Sequence, residues 1–103
     1  MIIHAHPYRS EIVELTPSYI DGLEVFNMHP HFNARISLIA KSAKDLDMIV
    51  TCGTDFHYNN FCGLTALLTK EPLKDSQDIV KVLKSRDYLI EIGGCVIFPY
   101  GEC

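Results

Sequence analysis

Two histidines stand two residues apart near the start of the chain, in MIIHAHPYR, and a carboxylate and an imidazole stand two apart further on, in TDFHYNN. His4 and His6 close a short apolar run. Residues i and i+2 of a strand share a face, so on a strand the two imidazoles point the same way. Asp55 and His57 follow a second apolar run that stops at Gly53. An Asp-x-His pair at a strand end can bind one metal ion or bridge two, and zinc, manganese and iron accept such nitrogen and oxygen donors. An ion held there suits hydrolysis near neutral pH. Plainer roles compete: hydrogen-bonded histidines at a strand edge, a turn-forming aspartate, a solvated loop histidine. Either pair alone is a weak signal. His-Pro after one apolar strand and Asp-x-His after a later one form the more specific combination.

Further polar residues fall near the same positions. Arg9, three residues after His6, can clamp a phosphate through two N–H groups or pair with Glu11 or Glu14 at the surface. His29 and His31 flank Pro30; His29 is the candidate to face substrate, and His31 the one to be a loop histidine. Glu24 lies inside an apolar run and needs a partner if buried. It can support a histidine from behind or point outward. Asn27 ends that run. Tyr58 and Phe61 are expected to pack the loop.

The elements that must position these residues read as follows. Residues 1–5 form a short strand, and SEIVEL a helical turn capped by Ser10. GLEVFN, 22–27, is a second strand with Leu23 and Val25 on one side and Glu24 and Phe26 on the other. The stretch 31–47 carries Ile36, Ile39, Ala40, Ala43 and Leu46 at helical spacing. MIVTCG, 48–53, is a buried strand rich in β-branched residues, and 64–69 another strand. SQDIVKVLKSR is a helix capped by Asp75 or Ser76, with Ile79, Val80 and Leu83 inward. YLIEIGG is the last strand, and CVIFPYGEC a tail. Strands alternating with helices predict an α/β fold with a mostly parallel sheet and flanking helices. In such a sheet ligands gather at the carboxyl ends of the strands. Three successive strands deliver His4 and His6, then Asn27 and His29, then Asp55 and His57 to that edge.

At 103 residues the chain holds one domain and one core. A net charge of −4 without a Lys/Arg cluster argues against nucleic acid as a partner. No apolar run approaches the ~18 residues of a membrane span. The opening residues lack a basic region followed by a long apolar one, so the expected location is the cytoplasm. The four cysteines, Cys52, Cys62, Cys95 and Cys103, contain no C-x-x-C pair and read as reduced thiols. Cys52, in a strand, is expected to be a small buried thiol; Cys62, near the candidate site, is open to reactivity.

HAHPYR, DGLEVFN, NARISLIAKSAKDLD and IVTCGTDFHYNNFCG, in this order and spacing, resemble the C-terminal half of a PHP (polymerase and histidinol phosphatase) domain over roughly residues 1–93. The resemblance implies part of a distorted (βα) barrel with a metal cluster at the strand ends, and metal-dependent hydrolysis of a phosphomonoester or related phosphoester. By position, His6 corresponds to the His-Pro ligand, Asp55 and His57 to the Asp-x-His ligands, and Gly63 to the glycine closing that loop. His4 does not match a usual ligand and is an auxiliary one or a hydrogen-bonding partner below His6. The family's first-strand His-x-His and its middle-strand His and Glu are missing, so the ligand set for Zn, Mn or Fe is incomplete. A whole barrel takes on the order of 200 residues or more. The expectation is therefore a fragment or truncated product whose missing half, or a second copy pairing through the first strand, completes the site. Its substrate, if active, is a small phosphorylated molecule. A non-catalytic PHP-derived scaffold that associates with itself or a partner is the alternative. A third reading takes HAH as the first-strand motif of an amidohydrolase, but too few ligand-bearing strands follow.

Overall fold

The computed structural model describes residues 1–8, 17–29, 35–57 and 64–100. The expected helical turn at 10–15 lies outside them, as do Arg9, His31, Tyr58, Phe61, Cys62, Gly63 and Cys103. Three strands form a parallel sheet in the order β1 (Ile3–His4), β2 (Gly22–Asn27), β3 (Ile49–Gly53). Parallel strands need both faces covered, and the sequence supplies this: Leu23, Val25, Ile49 and Val50 are all buried. Helix α1 (Ile36–Asp45) connects β2 to β3 and packs on both. Only Ile39 and Ala43 of its stripe are buried; Ile36, Ala40 and Leu46 are exposed.

The second half of the chain departs from the expected mostly parallel arrangement. Strands β4 (Thr65–Leu68), β5 (Leu89–Ile92) and β6 (Cys95–Ile97) form a separate antiparallel sheet in sequence order. The supposed tail thus contains a strand. Gly93 and Gly94 both have positive φ, 53° and 87°, the backbone that a two-residue hairpin turn requires. Helix α2 (Ser76–Ser85) lies between β4 and β5. Its cap is Asp75, whose carboxylate accepts from the Asp78 N–H at 2.9 Å, while the Asp78 carboxylate accepts from the Lys74 N–H at 3.0 Å. Leu83 is its buried residue and Val82 packs against the core, whereas Ile79 is exposed. Among the described residues no helix is long and apolar enough to cross a membrane.

The two sheets meet at β3. Ile49 donates its N–H towards β2, to the Asp21 carbonyl at 3.0 Å. The peptide groups of the next residue therefore point the other way. Tyrosines from the second half meet them: the Tyr88 hydroxyl donates to the Val50 carbonyl at 2.6 Å, and the Val50 N–H donates to the Tyr100 hydroxyl at 2.9 Å. The two hydroxyls also bond each other. Arg86 stacks over the Tyr100 ring, 5.2 Å from its centre, and ties back to Asp47 after α1 through its carboxylate and carbonyl, at 2.7 and 2.8 Å.

This seam has a measurable cost of removal. Tyr88→Phe strips the donor from a buried carbonyl and is expected to lower the free energy of unfolding in urea by about 1–3 kcal/mol. Burial, reinforced by the Tyr100 hydroxyl, pushes the Tyr88 hydroxyl far above its ordinary pKa. A pKa raised by folding gives stability that is complete below the unfolded value of about 10 and is lost above it, at up to ~1.4 kcal/mol per pH unit. Urea midpoints measured on either side of that pH should fall more for the wild type than for Tyr88→Phe; equal falls would mean that the hydroxyl titrates alike in both states.

Candidate functional site

The carboxyl ends of β1, β2 and β3 carry a connected set of polar side chains. It begins after β1, which stops at His4. His4 is itself buried, paired in register with Leu23. His6 is not on the strand. Its φ is 31°, which takes it out of the extended backbone that the expected shared face of His4 and His6 requires. The His6 N–H donates to Glu24 Oε1 at 3.0 Å. Its imidazole Nδ1 is buried and has no hydrogen-bond partner among the described residues.

Strand β2 supplies the centre. Glu24 faces Thr51 and Phe26 faces Cys52, so Val25 is an extra residue, a β-bulge. Residues three apart on a regular strand point to opposite faces; the bulge shifts the phase by one. Glu24 and Asn27 consequently meet, with Asn27 Nδ2 donating to Glu24 Oε1 at 2.8 Å. Glu24 thus turns into the site rather than outward. Asn27, buried, also donates to Asp55 Oδ2 at 3.2 Å and accepts from the His29 N–H at 3.1 Å. Met28 donates its N–H to the Gly53 carbonyl at 2.9 Å, which keeps the ends of β2 and β3 together.

Beyond β3, Asp55 takes φ 53° and its Oδ1 lies 3.0 Å from His57 Nε2. The Asp55 side chain is largely covered and that of His57 is largely exposed. The His57 ring meets that of His29 edge-on, with centres 5.8 Å apart. A continuous path therefore runs from His6 through Glu24, Asn27 and Asp55 to His57 and His29. Asn27, which the sequence places at the end of β2, is the junction.

The donor types suit a divalent ion. His6 Nδ1, a buried acceptor or donor without a partner among the described residues, is the kind of atom that a bound ion would satisfy. Among the described residues, however, no group of three or more His, Cys, Asp or Glu side chains is gathered closely enough to hold a metal. Cys52 takes no evident part: it is half-buried in β3 without a disulfide, and burial pushes its thiol pKa up, away from the reactive thiolate. A cleft of about 690 Å³ lies elsewhere, between α1 and the segment Ile97–Tyr100, and none of the candidate residues lines it.

Comparison of the chain with protein-family models, with curated proteins and with solved structures finds no match. The reading of the site rests on its residues.

Asn27→Leu keeps the side-chain volume and removes the amide that joins β2 to Asp55. It is expected to cost about 1–3 kcal/mol of stability in urea and to move the ring resonances of His29 and His57 in NMR spectra. Unmoved His57 resonances at a wild-type urea midpoint would show that Asn27 is not the link.

Proposed function

We propose that this chain carries part of a PHP-like metal-dependent phosphoesterase site, within a partial distorted (βα) barrel, hydrolysing a small phosphomonoester or related phosphoester. The observation that carries the reading is the polar path across the three strand ends, which begins at the main-chain N–H of His6, a residue whose imidazole Nδ1 is buried and without a partner among the described residues. His6, Asp55 and His57 are the proposed metal-binding residues, with His4 auxiliary. Zn, Mn or Fe bound there would supply the Lewis acidity that phosphoester cleavage needs.

The chain's own residues have definable tasks in this reading. Glu24 fixes the turn that presents His6, and Asn27 aligns Asp55. Asp55 orients the His57 ring. Exposed and seated on that carboxylate, the His57 ring would be held ready for the metal. Arg9 and His29 would hold the phosphate. The remaining metal ligands would come from another polypeptide segment or from a second copy of the chain.

A second reading, a non-catalytic PHP-derived scaffold, is favoured by one observation: three metal-competent side chains do not converge among the described residues. Elemental analysis of protein purified without chelator separates the two. The phosphoesterase reading expects about one equivalent or more of Zn, Mn or Fe per chain, lost in His6→Ala, and metal-stimulated cleavage of p-nitrophenyl phosphate, abolished by Asp55→Asn. A folded protein with less than about a tenth of an equivalent and no dependence on His6 would leave the scaffold. Light scattering adds the assembly state, and a stable monomer at micromolar concentration would exclude completion of the site by a second copy.

A further inference from the structure

We infer that Gly53 is a positioning residue for the strand-end site, acting through the Glu24 carboxylate; the inference takes that site to be the functional centre proposed above. Gly53 ends β3, opposite Asn27 in the ladder. Its φ is not among the left-handed ones, so no turn requires a glycine there. Glycine in a strand is a weak choice, about 0.5–1 kcal/mol worse than alanine in conformational entropy. Something else must exclude a side chain.

That something is Glu24. A Cβ placed on Gly53 would lie closer than 3.0 Å to Glu24 Oε2, a separation real Cβ atoms do not show, and 3.4 Å from its Cδ. Chain neighbours aside, no other atom of the described residues comes within 4 Å of it. The contrast with Gly22 is informative. There a Cβ would meet the Ile49 carbonyl oxygen at 2.6 Å, which is backbone and cannot yield without breaking the sheet. At Gly53 the obstacle is the end of a flexible side chain, so a methyl group would displace the carboxylate and leave the strands in place.

The displacement would be felt at both ends of the site. Glu24 Oε1 accepts from the His6 N–H at 3.0 Å and from Asn27 Nδ2 at 2.8 Å. The first bond holds His6 at its unusual φ, and the second fixes the amide that also reaches Asp55. The missing side chain of Gly53 therefore makes room for the one carboxylate that ties the His6 turn to the Asp55–His57 pair.

The test is a double-mutant cycle of Gly53→Ala and Glu24→Ala, read by urea unfolding, by hydrogen exchange of the His6 amide, and by titration with Zn²⁺ alone. Gly53→Ala is expected to fold, to speed His6 amide exchange about tenfold or more, and to weaken zinc binding ~10–100-fold, as loss of a group supporting a ligand does. Glu24→Ala should match it, the double variant should add nothing further, and Glu24→Asp in the Gly53→Ala background should restore part of the protection. A protected His6 amide in Gly53→Ala overturns the inference, as does an undiminished effect of Gly53→Ala in the Glu24→Ala background. If Gly53→Ala does not fold, the double variant decides: recovery supports a clash with Glu24, and continued unfolding overturns it. Should the wild type bind no zinc, the metal reading fails by itself, and amide exchange still tests the role of Gly53.

Discussion

The fold depends on how the outer edge of β3 is closed. Val50 turns its N–H and its carbonyl away from β2, and these are groups that a buried strand cannot leave without partners. In a continuing parallel sheet a fourth strand would take them. Here the hydroxyls of Tyr88 and Tyr100 do so, and the second sheet is thereby fastened to the first by side chains instead of by a ladder. The consequence is that Tyr88, just ahead of β5, and Tyr100, just after β6, both dock on one residue of β3, while β4 packs on the same strand. The Arg86 stack on Tyr100 and its bonds to Asp47 extend the same fastening to the end of α1. β3 is thus held on both edges, and its carboxyl end is a fixed point from which Gly53, Asp55 and His57 project.

Local chemistry was legible in the sequence where it was enough to decide an element. β2 spans the predicted 22–27, β3 follows its apolar β-branched run, and Asp75 caps α2 as its position suggested. Long-range pairing was not legible. Gly93 and Gly94 lie between two apolar runs and signal a hairpin; read as a strand terminator, they turned β6 into a tail. The direction of β4 against β5 is a property of the pair and has no signature in either strand. The tyrosines that close β3 act 38 and 50 residues away from Val50, a separation no periodicity reports.

The candidate site divides in the same way. The three strand ends and their residue types were visible because apolar runs stop there. The wiring between them was not. A period of two separates Glu24 from Asn27 and unites His4 with His6. In the structure a bulge at Val25 reverses the first relation, and the end of β1 at His4 removes the second. Both changes arise from departures in backbone geometry that a strand pattern assumes away. Gly53, which read as a stop, is better understood as space that Glu24 occupies.

Backbone strain gives an independent view of where this chain is constrained. Among the described residues, five besides glycine have positive φ: His6, Arg35, Asp47, Asp55 and Arg86. Arg35 and Arg86 are the caps of α1 and α2, and Asp47 follows the α1 cap. Left-handed residues are common at the carboxyl ends of helices, so Asp47 and Arg86 need no functional account, and Arg35 is at least placed by a helix end. His6 and Asp55 sit at no helix end. Such conformations cost on the order of 1–3 kcal/mol each and persist where surrounding contacts over-determine them. For these two the contacts are known: the His6 N–H on Glu24, and the Asp55 carboxylate on Asn27 and His57. The same hydrogen-bonded path therefore holds both strained residues, and both are candidates in the sequence by donor type and strand-end position. Folding by itself gives no reason for that coincidence, whereas a site that must present an imidazole and a carboxylate from the two strand ends flanking β2 does.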